Sequence, residues 1–154
     1  MTTRTPPRSG LLDTSTLILL SRIRNPSVLP EEPLISTITL AELSVGPLVA
    51  ETDGEREARQ AHLQQAEADF DPLPFDADAA RAFGRVAASL HRAGRKTTAR
   101  AYDAQIAAIA VSHGLPLYTC NPADFAGIDT LEVVAVPHPD AHDDPSKMRH
   151  RNSV

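Results

Sequence analysis

Cysteine occurs once in the 154 residues and tryptophan not at all; phenylalanine and tyrosine number only four and two. A lone cysteine, Cys120, cannot close an internal disulfide, which fits a reducing compartment, so the expected location is the cytoplasm. No His or Asn context around it points to a nucleophile, and the expectation is a small, semi-buried side chain. With so few aromatics, the core must be built mainly from Leu, Ile, Val and Ala. Long apolar runs are also missing. None reaches the ~18 residues that a membrane span needs. The polar, proline-containing opening "MTTRTPPRSG" is unlike a secretory leader, so no membrane association is expected. An excess of positive charge is missing too: the formal net charge is −5 at pH 7. That argues against a general polyanion binder.

What remains is the balance of a globular protein, 42% hydrophobic and 23% charged, in a chain long enough for one domain with a sizeable core. Residues 1–9 read as a disordered lead-in, 10–136 as the folded domain and 137–154 as a flexible tail rich in Pro, His and Asp. Within the domain, "GLLD" reads as a strand closed by Asp13, and "TSTLILLSRI" as a helix. "LIST" reads as a second strand. "ITLAELSVGPLVA" follows as a helix interrupted near Gly46 and Pro47, with Leu40, Leu43 and Val45 inward. "GEREARQAHLQQAEADF" is a polar-faced helix and "DPLPF" an extended link. Asp76 caps a long helix carrying Ala80, Phe83, Val86, Ala87 and Leu90 on one stripe. A last helix begins near Asp103, with Ile106, Ala107, Ala110 and Val111 on its buried stripe and Gly114 as its stop signal. "GLPLYT" and "LEVVAV" complete the strands. Strands alternating with helices of ten or more residues predict a three-layer α/β/α domain around a mainly parallel sheet.

In such a sheet, ligands gather at the carboxyl ends of the strands. Asp13 closes the first strand, and Glu42 lies on the helix after the second. Asp103 opens a later helix, and Asp124 follows "LPLYT". Each has a plainer reading: Asp13 and Asp103 as helix caps, Glu42 as an exposed helix residue, Asp124 as a turn residue. Taken together, the four share one rim. Crowded carboxylates repel and raise one another's pKa, a penalty that a divalent cation removes. Oxygen-only ligands suit Mg²⁺ or Mn²⁺. The segment "HRAGRKTTAR" concentrates Arg92, Arg95, Lys96 and Arg100 without an acid, either as a solvated loop or as a phosphate-contacting patch. His138 and His142 stand four apart, a zinc spacing only on a helix, which Pro139 and Pro145 oppose. A receiver-like phosphoacceptor domain would need a second acid beside Asp13. A haloacid-dehalogenase phosphatase would need Asp where Ser15 stands.

The segments "LLDTSTL", "ISTITLAELSVG" and "YDAQIAAIAVSHGLPLYTCNPADF" resemble those of PIN-domain ribonucleases, and among them the VapC-type toxins of prokaryotic toxin–antitoxin pairs. The resemblance covers about residues 10 to 136. It implies an α/β/α fold and Mg²⁺- or Mn²⁺-dependent endonucleolytic cleavage of RNA by a metal-activated water. It also implies a homodimer and a VapB-type antitoxin whose C-terminal segment covers the cleft. By motif, Asp13, Glu42 and Asp103 would hold the metal, with Asp124 as the fourth ligand; some relatives place an acid where this chain has Asn121. Thr14, Ser15, Thr119 and Asn121 would support the carboxylates, and the basic segment 92–100 would steer an RNA backbone. The alternative within the resemblance is a catalytically silent PIN-like domain that only binds a partner.

Overall fold

The computed structural model describes residues 8–142. Four strands form one parallel sheet: β1 (Ser9–Leu12), β2 (Glu32–Leu34), β3 (Leu117–Thr119) and β4 (Val133–Ala135), in the order β2-β1-β3-β4. Leu11 of β1 stands in register with Leu34 on one side and Leu117 on the other. Five helices cover the sheet: α1 (Thr14–Leu19), α2 (Thr37–Val45), α3 (Asp53–Asp69), α4 (Ala77–Arg92) and α5 (Ala101–His113).

Strand alternation builds the three layers. Leu11 and Leu117 face a core completed by Val86 and Leu90 of α4 and Ile106 and Ile109 of α5. Leu12 points the other way, into a second core with Ile35, Leu43 and Ala66, against which Leu17, Leu63, Phe70 and Tyr118 pack. The fold is therefore the expected α/β/α sandwich. Its second helix layer is made by α1, α2 and α3. Small side chains let the layers approach. The Cβ that Gly10 lacks would lie 2.4 Å from the Tyr118 ring.

Several local expectations are corrected. β1 opens at Ser9, inside the expected lead-in, because Ser9 pairs with Glu32 on the neighbouring strand. Residues 1–7 and 143–154, where the rest of the lead-in and the tail fall, lie outside the described residues. The tail region begins with a 3-10 turn, Pro139–His142, whose Asp140 pairs with Arg22. The backbone N–H of Asp140 donates to Nδ1 of His138, so the His138 segment is a tight turn rather than an α-helix. The second strand is Glu32–Leu34, not "LIST": Ser36 is already the N-cap of α2, its hydroxyl accepting from Thr39 N. "DPLPF" joins the sheet through a single bridge, Leu73 to Ser36. Val45 faces solvent. The inner face of α4 is Ala79, Ala82, Val86, Ser89 and Leu90, and Ala80 is exposed. The face turns because Ser89 is held inside, donating to the Gly127 carbonyl at 2.6 Å and accepting from Asp129 N at 2.9 Å. Helix α5 carries no single stripe. Ala104 and Ile106 to Ala110 are all buried, as in a helix enclosed by its neighbours. It ends at Gly114, whose φ of 63° provides the left-handed C-cap.

Candidate active site

The carboxyl ends of β1 and β3 meet at one rim, and Asp13 stands there, 4% exposed. It is the N-cap of α1, its Oδ1 accepting from Thr16 N at 3.2 Å. The capping reading therefore holds for Asp13, but capping occupies only one oxygen. Oδ2 accepts from the Thr119 hydroxyl at 2.9 Å and the Ser15 hydroxyl at 3.2 Å. A buried carboxylate with three donors is tolerable and fixed in direction.

Glu42 comes from the second turn of α2, half-buried rather than out in solvent. Its Oε1 accepts from Thr14 Oγ1 at 2.8 Å, and that hydroxyl lies 3.0 Å from Thr39 Oγ1. Burial pushes its pKa up, the Thr14 hydroxyl opposes the shift, and the charge on Asp13 adds to it. Asp103 is not a cap. Arg100 holds the N-cap position of α5 and Asp103 lies in the first turn, freeing its carboxylate for another role. Its pKa is raised to about 6, first by burial and then by the charges of Asp124, Asp13 and Glu42, with Arg100 opposing. Asp124, Asp13 and Glu42 thus all act on Asp103 across the rim.

Asp124 sits in the 3-10 turn Pro122–Phe125 and accepts from Arg100 Nη1 at 2.6 Å. Asn121 reaches the cluster indirectly: its Nδ2 donates to Ser15 Oγ at 3.1 Å and its N–H to Thr119 Oγ1 at 2.9 Å. Cys120, between them, is buried, and burial raises its thiol pKa, which leaves it a packing residue.

Of the basic segment, three arginines turn toward residues 122–129. Arg92 pairs with Asp129 at 3.3 Å, and Arg95 Nη1 donates to the carbonyls of Ala123 and Ala126 at 3.1 and 2.7 Å. Arg100 takes Asp124. Lys96 is exposed and, among the described residues, has no acid paired with it. Sequence reasoning missed the pairing of Arg100 with Asp124, for which the only signal was a cation one helical turn before Asp103.

Among the described residues no three potential ligands already close on a single ion. A small hard cation that keeps several waters could be held by some of these carboxylates directly and by others through water. The donor set, all oxygen and mutually repelling, fits such an ion.

Comparison with known proteins agrees with this geometry. Residues 11–131 match the PIN domain. Ribonuclease VapC5 of Mycobacterium tuberculosis is 39% identical over 137 residues, covering 86% of this chain and 98% of that protein. Ribonuclease VapC1 of Rickettsia felis is 30% identical over 129 residues, 82% of this chain and 95% of its own. The crystal structure of VapBC-5, a member of the VapBC family of toxin–antitoxin systems from M. tuberculosis, superposes with a TM-score of 0.73 at 37% identity. It covers 84% of this chain and 100% of that one.

Proposed function

Because the chain belongs to the PIN-domain family, we propose that it is a Mg²⁺- or Mn²⁺-dependent endoribonuclease and the toxin of a type II toxin–antitoxin pair. The observation that carries the reading is the convergence of Asp13, Glu42, Asp103 and Asp124: burial first, and then the charges of the other three, lift Asp103 to about 6. Asp13, Glu42 and Asp103 would hold the ion, with Asp124 completing the set. When bound, the ion supplies Lewis acidity for activating water and charge to offset the phosphodiester. The chain's own residues supply placement. Thr119 and Ser15 fix the direction of Asp13, and Thr14 fixes Glu42. Asn121 holds Ser15 in turn. Lys96, which is exposed, and Arg92 and Arg95, held against residues 123–129, would offer positive charge to an RNA backbone that the net charge of −5 would otherwise repel.

The nuclease unit is residues 10–136. The protein works as a cytoplasmic homodimer held inactive by a VapB-type antitoxin; the VapBC structure it superposes on supports the antitoxin partner. No described helix is long and apolar enough to cross a membrane. The test is cleavage of RNA by the purified chain with Mg²⁺ or Mn²⁺. Asp13→Asn and Asp103→Asn should each lower the rate about a hundredfold or more, and chelation should abolish it. Full activity in both variants would overturn the assignment.

A further inference from the structure

Arg100 lies beside the acidic cluster, and its only side-chain hydrogen bond among the described residues goes to a carboxylate proposed to hold the ion. The pair is 2.6 Å long and more than half shielded from solvent. The neighbouring turn does not need it. The backbone of 122–129 is already gripped by Arg95 at the carbonyls of Ala123 and Ala126, by Ser89 at Gly127 and Asp129, and by Arg92 at the Asp129 side chain. Arg95 and Arg92 thus serve the turn, whereas Arg100 serves one carboxylate. It stands at the N-cap of α5, one turn before Asp103, so the helix that brings the third acid also brings a cation that cannot lose its proton. Three acids repel Asp103 and Arg100 is the cation that offsets them.

We propose that Arg100 is a positioning residue that competes with the divalent cation for Asp124, so that ion binding and release of the guanidinium are coupled. The inference rests on the metal-dependent function above. Two cations drawn to one carboxylate exclude each other in part, and coupling of this kind is reciprocal: the ion loosens Arg100 as much as Arg100 weakens the ion. Once released, the guanidinium stands beside the acids with its charge free for a phosphate.

Mn²⁺ binding to the free chain, measured by calorimetry without RNA, tests this. Arg100→Gln should tighten Mn²⁺ binding about tenfold. Arg100→Lys keeps the charge and should stay within about threefold of the parent. In an Asp124→Asn background, Arg100→Gln should gain far less, because the shared carboxylate is gone. In the unaltered protein, the Arg100 side-chain resonance should move on Mg²⁺ titration by NMR, a readout independent of whether any variant folds. Mn²⁺ binding by the parent with no gain in Arg100→Gln, or an unmoved Arg100 resonance at Mg²⁺ saturation, overturns the competition and leaves the metal centre standing. No Mn²⁺ binding by either protein overturns the metal centre and the competition together.

Discussion

Asp103 shows how a functional group costs stability. With its pKa raised from 3.8 to about 6, it is ionised at pH 7 against burial and three like charges. Discounted for the solvent access of a half-buried group, this costs the folded, ion-free chain about 1–2 kcal/mol. Asp103→Asn removes the charge and should raise the melting temperature in chelator by about 2–8 °C. The sign with pH follows from linkage. The folded chain binds this proton more tightly than the unfolded chain does, so the cost is full above pH 6 and fades as pH falls toward 4. The gap between variant and parent should therefore close over that window. A melting temperature unchanged or lowered at pH 7 would mean that Asp103 is already neutralised by a partner. At this scale the acids were legible in the sequence because Asp13, Glu42 and Asp124 each follow a strand and Asp103 stands at the head of an apolar helix. The role of each hydroxyl was not, since Thr14 facing Glu42 and Thr119 facing Asp13 depend on contacts between distant segments.

Among elements, α4 carries the clearest lesson. Ser89 is 3% exposed and ties the helix to the 127–129 turn through two hydrogen bonds. Ser89→Ala would leave a part-buried carbonyl and N–H without their partner, costing about 1–3 kcal/mol. Thermal or urea unfolding should show a loss of about 2–10 °C or the matching shift in midpoint; no loss would mean that water replaces the hydroxyl. Of the expected stripe on α4, Val86 and Leu90 are in the core and Phe83 packs against it, while Ala80 is exposed and Ala79 and Ala82 are buried instead. In "ADAARAF" alternative alanine faces are equally apolar, and only the turn that Ser89 meets selects between them. β2 was displaced for a different reason. Its Pro33 argues against a strand, yet β2 is at the edge of the strand order, where proline is tolerated. The longer features were legible: α4 by its cap at Asp76 and the end of α5 by Gly114. Those signals are local, and the misreadings occur where tertiary contacts outrank local preference.

For the whole molecule, the sandwich gathers acids from four separate segments while the chain as a whole carries −5. The fold therefore holds a local repulsion that its packing must offset, and a divalent cation at the rim would relieve it directly. Any ligand that binds only the folded state adds stability by mass action, about 2.7 kcal/mol at a hundredfold excess over its dissociation constant. In a chain of this length that corresponds to a rise of roughly 5–11 °C in melting temperature. Mn²⁺ should produce this rise in the parent protein. Asp13→Asn and Asp103→Asn should lose most of it, the latter starting from a higher ion-free baseline. Arg100→Gln should reach it at lower Mn²⁺, because its competing cation is gone. The three variants thus separate by baseline and by midpoint in one set of melts. An equal rise in all of them would place the ion elsewhere on the acidic surface and detach the rim from the proposed chemistry.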